Sequence, residues 1–140
     1  MKKFKTGELL GKSSRLLSNK LTQGLTKHQI ELTPEQWMVL EVLVNEPKSQ
    51  KEICEITLKN KASINSLVSN LIKTGLVSKS VSESDKRNNV ISITDLGIQI
   101  KKASNQVASE TLDIALEGLS SKDIETLNGY LLKIKNNLIK

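Results

Sequence analysis

Leucines at positions 9, 10, 16, 17, 21 and 25 recur at the spacing of one helical face, so the polar and apolar pattern predicts a long amphipathic helix from Glu8 to about His28. The residues before it, through Lys5, are expected to fray. A second helix starts at Thr33, where a capping hydroxyl, Pro34 at the first helical position and Gln36 three residues on form a capping box. Trp37, Leu40, Leu43 and Val44 make its inward stripe, and Pro47 ends it. Ser49 and Glu52 repeat the box before a short third helix carrying Ile53, Ile56 and Leu58 inward. Asn60 caps a fourth, in which Ile64, Leu67, Val68 and Leu71 follow the i, i+3, i+4, i+7 pattern until Gly75 stops it. The period then changes: Val77–Val81 and Asn89–Thr94 read as two short strands around the polar loop SESDKRNN, a hairpin with a charged tip. Thr94 caps a fifth helix with a seam of Leu96, Ile100, Ala103 and Val107. Ser120 or Ser121 caps the last, where Ile124, Leu127, Leu131, Ile134 and Leu138 step by three and four. Such seams predict that the terminal helices pack on each other or on a second copy.

Composition narrows this picture. The 140 residues suit one domain, and with aromatics only at Phe4, Trp37 and Tyr130 the interior must be aliphatic. The net charge of +6 is unevenly spread. From Lys59 to Arg87 six basic residues (Lys59, Lys61, Lys73, Lys79, Lys86, Arg87) face two acidic ones (Glu83, Asp85), an excess of four, whereas Asp95 to Lys140 is balanced at six against six. A positive excess confined to one stretch points to a polyanion-binding surface. One cysteine, Cys54, makes no internal disulfide, the start MKKFKTGELLGK has no secretory apolar run, and no uncharged stretch is long enough to span a bilayer; a soluble, cytoplasmic setting is expected.

Two short helices, a capped helix, a glycine and a hairpin make a helix-turn-helix with a wing, and the positive excess falls on its second helix and hairpin. A helix fits a major groove about 12 Å wide, while a basic loop reaches a neighbouring minor groove. The stretches LTPEQWMVLEVL, IKTGLV and SDKRNNVISITDLG resemble the MarR family of bacterial transcription regulators; the Asp-x-Arg of the third stretch, set between GLV and TDLG, is the most specific feature. The resemblance implies a mainly α fold with a small β-hairpin wing. Residues 1–32 form an N-terminal helix of the dimerisation domain, 33–95 the winged helix-turn-helix, and 96–140 the C-terminal dimerisation helices. It also implies a homodimer that binds double-stranded DNA sequence-specifically, a repressor released by a small-molecule effector.

On the fourth helix, Lys61, Ala62, Ser63, Asn65, Ser66, Ser69 and Asn70 are the candidates for DNA contact. Asn65 and Asn70 can donate and accept at once, as adenine requires, Ser66 and Ser69 can bond bases or phosphates, and Ala62 suits a thymine methyl. Ser66 departs from the family, where many relatives carry an arginine or another long side chain; the bidentate guanine contact is not available from a serine. In the wing, the resemblance implies Arg87 in the minor groove oriented by Asp85, with Lys79 and Lys86 attracting phosphates.

Other candidates carry less. Trp37 could border an effector pocket, though such a residue also serves as core, and Tyr130 sits beside the last seam as packing or dimer contact. Cys54 could sense oxidants, but neighbouring Glu52 and Glu55 disfavour a thiolate and no second cysteine could resolve it. His28 with Glu31 falls short of the four ligands a zinc site uses, so no metal or other cofactor is expected. Neither a second histidine to serve a nucleophile nor a Gly-rich phosphate loop is present, which argues against an enzyme. Two alternatives to a ligand-responsive regulator stay open: a thiol-based redox regulator acting through Cys54, and a helical interaction module that binds no DNA.

Overall fold

A computed structural model describes residues 1–81 and 89–139. Six helices and three strands run in the order α1 (Lys2–Lys27), α2 (Pro34–Leu43), β1 (Lys48–Ser49), α3 (Gln50–Thr57), α4 (Lys61–Lys73), β2 (Val77–Val81), β3 (Asn89–Ile93), α5 (Asp95–Ala115) and α6 (Ser121–Leu138). Helix starts are where the capping signals place them. Thr33–Gln36, Ser49–Glu52 and Ser120–Asp123 each form reciprocal boxes, and Asn60 and Thr94 accept from the backbone N–H of Ser63 and Gly97. Ser120, not Ser121, is the last cap. Helix α4 ends at Thr74, followed by Gly75 at φ +79, a left-handed position that suits glycine.

The core is aliphatic and gathered around α2–β3. Leu32, Val39, Leu40, Leu43, Ile53, Ile64, Val68, Leu71, Leu76, Val77 and Ile91 form one buried cluster, with Trp37, Cys54, Leu67, Ile93 and Ile100 half-buried against it. The sheet has three strands in the order β1-β3-β2, all antiparallel, with Lys48 opposite Ile91 and Val77 opposite Ile93. The hairpin expected from the sequence is therefore joined by β1, whose two residues are too few to show an alternation. Strand β3 stops at Ile93, because Thr94 is occupied in capping α5.

Several expectations need correction. Helix α1 is helical from Lys2, without a frayed start through Lys5: Lys12 bonds Glu8 at 2.7 Å and Lys5 lies 3.8 Å from it, pairs that support the first turns. Val44 caps α2 and is exposed, and Val39 takes its place inside. The α2 helix ends there, before Pro47 can stop it. In α3 only Ile53 is buried. Ile56 and Leu58 face outward, Leu58 because it terminates the helix in the left-handed conformation, φ 61. The inward stripe of α5 is Gly97, Lys101, Ser104, Val107, Ala108 and Thr111, so Leu96 and Ala103 do not belong to it. Small and hydroxyl residues admit close approach there, and the apolar period misled the seam assignment.

Along α1 only Leu25 is buried, α6 buries nothing, and Leu9, Leu16, Leu127, Leu131 and Leu138 stand exposed on the single chain. Among the described residues no helix is long and apolar enough to cross a membrane.

Candidate nucleic-acid interface

Helix α4 is held from behind and open in front. Ile64, Val68 and Leu71 are fully buried and Leu67 half-buried, which fixes the helix on the core and leaves Lys61, Ala62, Asn65, Ser66, Ser69, Asn70 and Lys73 exposed. At about 100° per residue, Ala62, Ser66, Ser69 and Lys73 fall along one outer stripe, with Asn65 and Asn70 on its two flanks. The structure thus brings the sequence candidates together, with one exception: Ser63 is half-buried, and its backbone N–H bonds Asn60 Oδ1 at 2.8 Å. Lys73 was not singled out as a contact residue, although its position one turn beyond Ser69 was visible in the helical register.

Electrostatics favour an anion at this face. The first turn of α4 holds Lys61 and no acidic residue, so the positive end of the helix dipole is not neutralised from its own turn. Among the described residues Lys61, Lys73 and Lys79 make no ion pair. Lys59 differs: its Nζ lies 3.5 Å from Glu35, tying the α3–α4 turn to α2, so it contributes less to the positive excess than its count suggested. Lys79 is exposed on β2, an edge strand of the sheet. The wing candidates Asp85, Lys86 and Arg87 lie outside the described residues.

The α3–α4 unit with its three-stranded sheet is a winged helix-turn-helix, and it has recognisable counterparts. The sequence model of the MarR family matches residues 30–88, from the approach to α2 through the segment between β2 and β3. A crystal structure of a probable transcriptional regulator from Pseudomonas aeruginosa is 29% identical, over 91% of this chain and 95% of its own, with a TM-score of 0.82. Residues 30–88 match the MarR family, and the whole chain shares the fold of solved transcriptional regulators. Other MarR-like folds superpose as well. The transcriptional regulator BldR from Sulfolobus solfataricus is 22% identical, covering 97% of this chain and 96% of its own at a TM-score of 0.88. A mutant MarR from E. coli complexed with operator DNA is 18% identical, covering 91% of each chain at a TM-score of 0.84. These two likenesses show the shared fold.

Behind the winged helix lies a polar junction that the sequence did not reveal. Trp37 and Glu41 of α2 face Lys101 and Asn105 of α5. The indole N–H donates to Asn105 Oδ1 at 2.9 Å, Lys101 Nζ donates to the same oxygen at 3.4 Å, and Lys101 Nζ pairs with Glu41 Oε2 at 2.7 Å. A cleft of about 540 Å³ opens beside it, lined by Trp37, Glu41, Asn105, Ala108, Ser109, Leu112 and Asp113. Trp37 is therefore both a wall of the core and a wall of this cleft.

The remaining candidates have local partners. Cys54 is half-buried against the core. His28 is exposed, with Nδ1 donating to Gly24 O at 2.9 Å, and among the described residues no group of three His, Cys, Asp or Glu could hold a metal. Tyr130 is exposed on α6.

Proposed function

We propose that the protein is a homodimeric, sequence-specific DNA-binding transcription regulator, a repressor that leaves its operator when a small molecule binds. It would act in the cytoplasm and catalyse no reaction. The observation that carries this is the construction of α4: a helix clamped by three buried aliphatics, with an amide and hydroxyl face and cationic ends turned to solvent. Ser and Asn are poor helix formers. Their accumulation on an exposed face has a reason if that face meets base edges. Residues 33–95 are the DNA-binding domain in this reading, with Lys61, Ala62, Asn65, Ser66, Ser69 and Asn70 entering the major groove, Ser63 supporting the helix start, and Lys79, Asp85, Lys86 and Arg87 serving the wing.

Residues 1–32 and 96–140 supply dimerisation. The support is that α6, 18 residues long, buries nothing within one chain while carrying a leucine and isoleucine seam. A second copy covering this face would set two α4 helices about 34 to 36 Å apart, matching successive major grooves. The cleft beside Trp37 is the effector site in this reading. A ligand there shifts DNA affinity only if it binds the competent and incompetent dimer geometries unequally.

Selection of sites from random duplexes with purified protein tests the proposal. Enrichment of a pseudo-palindrome supports it, together with a logarithmic salt slope of about −0.9 per phosphate contact. Arg87→Ala should weaken binding without altering the fold. Failure to enrich any site at modest salt would reject it.

A further inference from the structure

Helix α5 bridges the two parts of the protein. Its first turns sit under the winged helix, where Gly97 is buried against Leu76 and Ile93, and its later turns run along α1, where Val107 and Thr111 face Gly24. Between them lies the junction of Lys101 and Asn105 with Glu41 and Trp37. Within each helix the two residues are four apart, one turn, so the junction pairs one turn of α2 with one turn of α5 at two levels. Asn105 Oδ1, accepting from both the indole and the ammonium, ties the levels together.

Stability alone does not explain this arrangement. Lys101 is only 6% exposed, while its partner Glu41 keeps half of its side chain in solvent. Desolvating an ammonium group is costly, and a buried ion pair is often matched or bettered by well-packed apolar residues of similar volume. Apolar contacts, however, tolerate rotation and sliding, whereas a charged pair and an indole hydrogen bond at two levels tolerate neither. Sliding α2 by one turn would place Glu41 opposite Asn105 and leave Lys101 without a carboxylate.

We propose that Lys101 and Glu41, braced by Asn105 and Trp37, form a positioning strut that fixes the angle of the winged helix on α5 and so sets the operator half-site spacing the dimer accepts. This rests on the DNA-binding reading for its consequence, but the strut itself can be measured without DNA. Donor and acceptor dyes placed at Lys73→Cys and Glu110→Cys in a Cys54→Ser background report the distance from α4 to α5. Excess unlabelled protein keeps one labelled protomer per dimer. The parent should give one narrow distance. Lys101→Met, which keeps the buried volume, and Glu41→Gln, at a half-exposed site, should broaden or split it, and the exchanged pair Glu41→Lys with Lys101→Glu should restore it. The second measurement uses duplexes whose half-sites are moved by one base pair. The parent should discriminate by about tenfold, equivalent to about 1.4 kcal/mol, and the single variants by less than about threefold. An unchanged distance distribution in both folded single variants overturns the strut. So does a broadened distribution with the parental spacing preference intact. If the parent binds no duplex at all, the DNA-binding reading falls, and the distance measurement still decides whether the strut holds the angle.

Discussion

Replacing Gly97 with alanine tests how closely the winged helix is seated on α5. A Cβ at this position would lie 2.2 Å from the Leu76 carbonyl oxygen, 3.1 Å from its carbonyl carbon and 2.8 Å from Ile93 Cγ1. The nearest obstacle is backbone and already engaged. Leu76 O accepts from Thr94 N at 3.1 Å, while Thr94 Oγ1 donates to Gly75 O at 2.7 Å and accepts from Gly97 N at 3.0 Å. Room for a methyl group can be made only by moving the α4–β2 link away from the start of α5, which strains all three bonds. Two effects oppose each other. Alanine gains about 1 kcal/mol of helix propensity over glycine. Overpacking costs about 1 to 3 kcal/mol, or more where backbone must shift, and a weakened hydrogen bond adds about 1. The clash wins by about 1 to 3 kcal/mol, and at roughly 3 °C per kcal/mol for a chain of this size the melting temperature should fall by about 3 to 9 °C. Melting followed by circular dichroism at matched protomer concentration, which removes the mass-action effect of dimerisation, gives the answer. A melting temperature equal to the parent's or higher would show that propensity outweighs contact and that the α5 seat is looser than its geometry indicates.

Four further outcomes are expected. Asn60→Ala removes the cap on α4 and should cost about 1 kcal/mol in urea unfolding, and an unchanged midpoint would contradict the 2.8 Å bond to Ser63 N. The carboxyls of Glu52 and Asp123 are held below their ordinary values chiefly by the backbone N–H groups of Ser49 and Ser120. Because the folded values are the lower ones, this stabilisation is complete above the ordinary carboxylate range and is lost as pH falls through the lowered values, so Glu52→Gln with Asp123→Asn should flatten the acid limb of a stability–pH curve. An acid limb as steep as the parent's would remove that account. Leu131→Glu on the exposed α6 seam should convert dimer to monomer in sedimentation, whereas a persistent dimer would move the interface elsewhere. Lys61→Ala should lower the magnitude of the salt slope of DNA binding by about 0.9, and a parental slope would place Lys61 away from phosphate.

The starts of α2 to α6 were legible because each rests on side chains within three residues, as Thr33 with Gln36, Ser49 with Glu52 and Asn60 with Ser63 show, whereas α1 has no side-chain cap and begins earlier than its leucine pattern. The outward face of α4 was legible for a similar reason: its inward residues are all aliphatic, so the polar face followed by subtraction. What was lost depends on partners distant in sequence. Lys101 and Asn105 acquire meaning only from Glu41 and Trp37, more than 55 residues earlier. The apolar period of α5 pointed to Leu96 and Ala103 because side-chain hydropathy was the only guide, while the packing selects for small size at Gly97 and Ser104 and for a specific ion pair at Lys101. Strand β1 exists because Lys48 and Ser49 meet β3, a tertiary fact with no local signature.

The distribution of burial also bears on how affinity would be divided. The winged helix closes its own core, from Leu32 to Ile91, inside one chain, whereas α1 buries only Leu25 and α6 buries no leucine. Loss of the partner would therefore leave the α4 face intact but single. In the proposed DNA-binding reading, Ser66 limits what one α4 helix would contribute, since a hydroxyl makes one contact where a guanidinium makes two. Joining two such helices on one rigid frame converts the second engagement into an intramolecular one, with a gain set by how well the frame matches the half-site spacing. A weak single contact on a firm frame makes discrimination depend on geometry more than on any one base pair. Two close contacts between the winged helix and α5, the Gly97 seat and the Lys101–Glu41 pair, lie where such a frame has to be rigid.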